Sequence, residues 1–246
     1  MCRYAIACWR LMRMLAHIAM GLCTIALGFS RWPAAERQAR VQVWAAGLLR
    51  RAGITLEVHG SPPVAGPVLL VANHISWLDI PTLHAARHCR FVSKADVRHW
   101  PFISALADAA GTLYIERESR RDAMRVVHGM AHSLAQGDVL AVFPEGTTGD
   151  GLRLLPFHAN LLQAAIVADA PVQPVALRFT DRAMSAASQA PRYVGDDTLI
   201  GSVWRTVCAP SLVAHVSFGQ PQRAQGRDRR QWAQALQAEV ERLLSE

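Results

Sequence analysis

Two short apolar runs constrain this chain more than any other feature: Val68-Leu69-Leu70-Val71-Ala72, after Gly66-Pro67, and Val139-Leu140-Ala141-Val142, after Gly137-Asp138. Each is too short for a helix and lacks the polar alternation of a strand with one wet face. Runs of this kind are strands buried on both sides, which belong in α/β sheets covered by helices above and below. The rest of the chain supplies those helices in alternation. Strands are expected over 54–58, 68–72, 90–93, 112–115, 139–143, 172–179 and 212–218. Helices are expected over 33–51, 77–87, 102–110, 120–136, 157–168 and 228–244. In the helix at 120–136, Met124, Val127, Met130, Ala131 and Leu134 fall on one face; in the last helix Trp232, Leu236, Val240, Leu243 and Leu244 do so. Alternating β and α elements predict an α/β fold, a mostly parallel mixed sheet flanked by helices. Residues 181–200 carry no pattern and read as a long loop.

The first 30 residues stand apart. From Leu11 to Phe29 only Arg13, His17 and Thr24 interrupt an apolar stretch, which approaches the ~20 residues that a spanning helix needs. No small-residue cleavage site follows, since the stretch ends in Gly28-Phe29-Ser30-Arg31. The expectation is a membrane-embedded or interfacial helix, with Arg3, Arg10, Arg13 and Arg31 meeting lipid headgroups; a buried core helix is the alternative. Residues 1–52 are therefore expected to form N-terminal membrane-associated helices, and 53–246 an α/β domain. Hydrophobic residues make up 51% of the chain and charged residues 18%, with a net charge of +7. That balance suits anionic partners such as lipid headgroups, phosphorylated cofactors or acidic carrier proteins. No interleaved basic and aromatic stripe speaks for nucleic acid. Cysteines at 2, 8, 23, 89 and 208 form no C-x-x-C pair. They read as reduced thiols facing the cytosol, with neither a disulfide frame nor a zinc site expected.

Both apolar runs lead into polar loops. Asn73-His74-Ile75-Ser76-Trp77-Leu78-Asp79 follows the first and Phe143-Pro144-Glu145-Gly146-Thr147 the second. A neutral imidazole can take a proton from an alcohol, and a carboxylate on its other nitrogen fixes the tautomer. A turn can bring His74 and Asp79 together. A strand-end histidine and a helix-capping aspartate would account for the same residues. No G-x-S-x-G nucleophile turn is present, so the substrate's own hydroxyl is the expected nucleophile. Lys94 and Arg117 follow predicted strands at the same sheet edge as His74 and could meet an anion. Gly146 permits close backbone approach to a ligand, and Glu145 could order a basic neighbour or contact substrate hydroxyls.

Taken together these blocks resemble the glycerolipid acyltransferase family typified by lysophosphatidic acid acyltransferases. His74 and Asp79 match its N-H-x4-D motif, and Gly111-Thr112-Leu113-Tyr114-Ile115-Glu116-Arg117 its second block. Phe143 to Thr147 match its F-P-E-G-T block, and Val172-Gln173-Pro174-Val175 its proline-containing fourth block. The four occur in family order over residues 73–175, and the similarity is expected to extend to about residue 220. The resemblance implies transfer of a fatty acyl group from acyl-CoA or acyl-carrier protein to a lysolipid hydroxyl, most simply 1-acylglycerol 3-phosphate, giving phosphatidate. His74 would deprotonate the hydroxyl, Asp79 would orient it, and amides near Glu145-Gly146 would hold the oxyanion. Lys94, Arg117, Glu145, Gly146 and Thr147 would bind the acceptor. No cofactor or metal and no obligate protein partner is implied, and the site would face the cytoplasm at the inner membrane. Many phosphatidate-forming members carry arginine directly after F-P-E-G-T, where this chain has Thr148. The segment 146–157 also resembles lyso-ornithine lipid acyltransferases, whose acceptor has no glycerol phosphate. Two rival readings stand beside these: a membrane lipid or thioester hydrolase using the same pair on water, and a non-catalytic lipid-binding protein.

Overall fold

The structure, a computed structural model, describes residues 2–115, 120–182 and 187–246. Two helices come first, α1 (Cys2–Gly28) and α2 (Ala34–Ala52). The layers that follow are β1 (Ile54–Gly60), β2 (Val68–Ala72), α3 (Asp79–Ala86), β3 (Arg90–Lys94), α4 (Ile103–Ala109), β4 (Leu113–Ile115), α5 (Arg120–Ala135) and β5 (Val139–Val142). The chain closes with α6 (Leu162–Val167), β6 (Val172–Asp181), α7 (Leu199–Cys208), β7 (Leu212–Phe218) and α8 (Arg229–Ser245).

The seven strands form one sheet in the order β1-β7-β6-β2-β5-β3-β4. Every neighbouring pair is parallel except β6 and β7. The two apolar runs lie side by side at its centre, with Val71 opposite Val142, and every residue of both strands is buried. Two apolar layers account for that burial. On one face Leu69, Val71, Leu140 and Val142 pack with Met130 and Leu134 of α5, Leu162 of α6 and Trp232 of α8. On the other face Leu70, Ala72, Val139 and Ala141 pack with Leu83 of α3 and Phe91 of β3. From β2 the chain runs to β3, on the far side of β5; from β5 it runs to β6, on the far side of β2. The outgoing connections of two adjacent parallel strands thus diverge, which opens a crevice at their carboxyl ends.

Several local expectations need correction. Met124 of α5 is 58% exposed, whereas Val126 joins the core; the buried stripe is rotated because the helix also packs on α6. The stretch 181–200 is not wholly loop: α7 begins at Leu199, capped by the Thr198 hydroxyl, which accepts from the Gly201 amide. The helix expected over 157–168 is shorter, a single 3-10 turn at Ala159–Leu161 leading into α6. Among the N-terminal arginines, Arg3 and Arg10 turn inward. Arg3 Nε donates to Cys208 O at 3.1 Å, and Arg10 donates to Val207 O at 3.1 Å and Pro210 O at 3.2 Å. Both cap the carboxyl end of α7, where cations satisfy otherwise open carbonyls.

One side of α1 faces the protein. Met14 joins the cluster of Ala45, Leu48 and Leu49 from α2, and the His17 ring stacks on Trp44 with centroids 5.3 Å apart. Its other side leaves Tyr4, Ile6, Trp9, Met12, Leu15, Met20 and Leu27 at least half exposed. By length and composition α1 is the one helix among the described residues able to cross a membrane.

Candidate active site

At the end of β2 the ladder to β6 reaches Ala72 opposite Val175. The Asn73 side chain then takes over from the backbone: its amide donates to Leu177 O at 2.9 Å and its carbonyl accepts from Leu177 N at 2.7 Å. This substitution holds the chain on the sheet while the backbone turns away, and it aims His74 into the crevice. Asp79 begins α3, fully buried. One carboxylate oxygen, Oδ2, accepts three hydrogen bonds: from His74 Nδ1 at 2.8 Å, Ile75 N at 2.6 Å and Ser76 N at 2.8 Å. The structure therefore unites the two residues that the sequence pairs. With Nδ1–H donating to Asp79, the lone pair of the imidazole lies on Nε2, the tautomer of a general base. Asp79 is pinned in turn by two backbone amides, so the carboxylate cannot swing away from the ring.

The second loop braces the first. Phe143 lies flat against the His74 ring, with centroids 4.0 Å apart and planes 6° from parallel, and Phe91 backs Phe143 at 5.5 Å. Glu145 is buried beneath His74. Oε1 accepts from the His74 amide at 2.7 Å and Oε2 from the Leu155 amide at 2.8 Å. Burial pushes its carboxyl up from the usual range, and these two backbone bonds oppose that shift. Each oxygen accepts from one backbone donor, so Glu145, which also lines the cleft, ties together the loops after β2 and β5. Gly146 has φ 73°, where a Cβ would be strained. Its amide donates to Phe143 O at 3.1 Å, and that of Gly149 to His74 O at 2.8 Å. Those two amides close turns, and Thr147 is exposed at the tip of the loop.

A cleft of about 650 Å³ opens beside His74. Charged side chains of both signs line it: Arg153 and Arg178, with Asp150 and Glu241. Sequence reasoning missed Arg178, which lies on β6 without a motif around it. Thr148 donates its hydroxyl to Tyr193 O, so it anchors the segment before α7 instead of contributing charge. Lys94 is exposed at the end of β3 and is not among the residues that line this cleft. Arg117 lies outside the described residues.

Comparison with known proteins bears on the family and the fold. The acyltransferase family model matches residues 55–178. Lyso-ornithine lipid O-acyltransferase of Pseudomonas aeruginosa is 37% identical over 232 residues, covering 90% of this chain and 88% of the relative. 1-acyl-sn-glycerol-3-phosphate acyltransferase of Neisseria meningitidis is 39% identical over 174 residues, 70% of this chain and 67% of the relative. The crystal structure of the 1-acyl-sn-glycerophosphate acyltransferase PlsC from Thermotoga maritima superposes with a TM-score of 0.71, covering 99% of this chain and 97% of that one at 17% identity. That likeness concerns the fold: a mostly parallel sheet flanked by helices behind an apolar N-terminal helix.

Proposed function

Because this chain belongs to the acyltransferase family, we propose that it transfers a fatty acyl group from a thioester, acyl-CoA or acyl-carrier protein, to the hydroxyl of a lyso-ornithine lipid. The observation that carries the reaction type is the His74–Asp79 hydrogen bond of 2.8 Å at the rim of the cleft. His74 Nε2 takes the proton of the acceptor hydroxyl as its oxygen attacks the thioester carbonyl. The tetrahedral intermediate then expels the thiolate, which recovers the proton from the imidazolium. Asp79 stabilises that imidazolium and keeps the ring in register. No enzyme nucleophile is consumed, so the acyl group passes directly between substrates. Backbone amides of the loop around Glu145 and Gly146 would stabilise the oxyanion.

Three observations favour an ornithine headgroup. The cleft carries both signs of charge, Arg153 and Arg178 against Asp150 and Glu241, as a headgroup with one amine and one carboxylate requires. Thr148 occupies the position where many phosphatidate-forming relatives of the resemblance carry arginine. The Pseudomonas aeruginosa relative of that name aligns over 90% of this chain. The Neisseria meningitidis relative supports 1-acylglycerol 3-phosphate as the second reading. Trp100, Phe102 and Ile103, at the start of α4, add exposed apolar side chains, and α4 packs on α1. We propose that this surface lies in the inner-membrane interface and delivers both lipid substrates to the cleft from the cytoplasmic side.

An acceptor panel tests the reading. Purified protein with acyl-CoA or acyl-carrier protein consumes thioester only with a lysolipid present, and fastest with lyso-ornithine lipid. A clear preference for 1-acylglycerol 3-phosphate moves the assignment to the second reading. Thioester cleavage without any lysolipid rejects acyl transfer.

A further inference from the structure

Next to Arg178 and Thr180 of the cleft wall, three potential metal ligands converge near the edge of the sheet. Glu57 and His59 sit two residues apart on β1, so both project from the same face. His215 of β7 is the register partner of Glu57. His215 Nδ1 lies 3.4 Å from Glu57 Oε2 and 3.5 Å from His59 Nε2, and the ligand atoms of all three residues lie within 4.8 Å of one another. A hydrogen bond and an ion pair join these residues, both at long distance. One ring nitrogen carries at most one hydrogen, yet it faces two partners, and both distances exceed the usual ~2.7–3.2 Å of an N–H···O bond. The same distances match the edges of a tetrahedral coordination shell. With metal–nitrogen and metal–oxygen bonds of about 2.0–2.2 Å, neighbouring donors stand about 3.4 Å apart.

The other nitrogen of His215 is already held. Nε2 lies 2.8 Å from the Thr180 hydroxyl on β6. A hydroxyl that accepts from Nε2–H leaves the Nδ1 lone pair directed at the cluster, the arrangement by which outer-shell partners orient histidine ligands. The rings of His59 and His215 are 16° from parallel with centroids 5.8 Å apart. His59 is exposed and Glu57 half-buried, so a fourth position is open to solvent. We propose that Glu57, His59 and His215 form a binding site for a divalent transition-metal ion of borderline softness, Zn2+ or its probes Co2+ and Ni2+, with water completing the shell. Two imidazoles and one carboxylate favour these ions over Mg2+ or Ca2+, which require oxygen donors. No cysteine takes part, and the three ligands come from strands about 155 residues apart in sequence, so no local spacing announces the site.

The test is titration of the purified full-length chain, stripped with chelator and freed of any affinity tag, with Zn2+ by calorimetry and Co2+ by visible absorption. The site predicts one saturable equivalent of Zn2+ and an intense Co2+ spectrum of low coordination number, neither displaced by excess Mg2+. His59→Ala, at an exposed position that leaves the core intact, removes that equivalent, and so does His215→Ala. Thr180→Val weakens binding by about 10-fold through the lost outer-shell bond. Absence of saturable binding to the wild type, undiminished binding in His59→Ala, or equal competition by Mg2+ overturns the proposal.

Discussion

At the scale of single residues the site is a set of constraints on one ring. His74 is held in its plane by Phe143, along its edge by Asp79 and through its backbone by Glu145. Asp79 contributes by accepting from Nδ1, and an amide in its place can present the wrong group to the ring. Asp79→Asn is therefore expected to lower kcat by about 10²–10⁴-fold, the range of general-base assistance, with KM for the lysolipid little changed; steady-state kinetics checks this. Glu145 acts on structure. In Glu145→Gln one carboxylate oxygen becomes an NH2 that faces a backbone N–H, leaving a buried donor unpaired at a cost of about 1–3 kcal/mol. A lower Tm together with a reduced kcat is the expected outcome, and an unchanged Tm contradicts the bracing role. The His74–Asp79 pair was legible because both residues sit on one turn, five apart. The role of Glu145 was not, because its partners are the amides of His74 and Leu155, and backbone donors leave no mark in a sequence. Asn73 was hidden for the same reason: its partner is the backbone of Leu177.

At the scale of elements, α1 is seated on α2 through close contacts. A Cβ on Gly21 would come within 2.5 Å of Trp44 Nε1, and one on Gly47 within 2.9 Å of His17 Nε2. Gly21→Leu is expected to prise the two helices apart, lowering Tm and exposing Trp44, which intrinsic fluorescence reports as a red shift. In α3 and just after it, His84 and His88 are buried, with ring centroids 5.5 Å apart, and His84 meets Phe91 edge-on at 5.0 Å. Burial lowers their pKa values to about 3 and about 4. The unfolded chain binds these protons below the ordinary imidazole range while the native state refuses them. Stability is thus fully present above about pH 6.5 and falls on acidification toward pH 4, by roughly 1 kcal/mol per pH unit for each ring. His84→Leu should flatten that slope in a Tm-versus-pH series, and an unaltered slope contradicts a neutral buried His84. The strands were legible because apolar runs and alternation mark them. The start of α7 was missed because Thr198 caps it from within a stretch of turn residues, and the inward course of Arg3 and Arg10 depends on where α7 ends, a relation between segments about 200 residues apart.

At the scale of the whole molecule, two features carry the proposal, a central crevice and an exposed apolar surface on α1. The divergent connections from β2 and β5 create the crevice, α1 and the Trp100–Ile103 segment carry the exposed apolar side chains, and mixed charge lines the cleft. The central claim is that His74 acts as a base on the acceptor, with acyl transfer in one displacement and no covalent enzyme intermediate. Single-turnover reaction with a radiolabelled acyl thioester, followed by intact-protein mass, addresses it most directly. Without lysolipid the account predicts neither thioester cleavage nor label on the protein. Adding lyso-ornithine lipid should give one ester per thioester consumed, slowed in His74→Ala by about 10²–10⁴-fold. A stable acyl-protein adduct before the lysolipid is added, or transfer at the wild-type rate in His74→Ala, would contradict it.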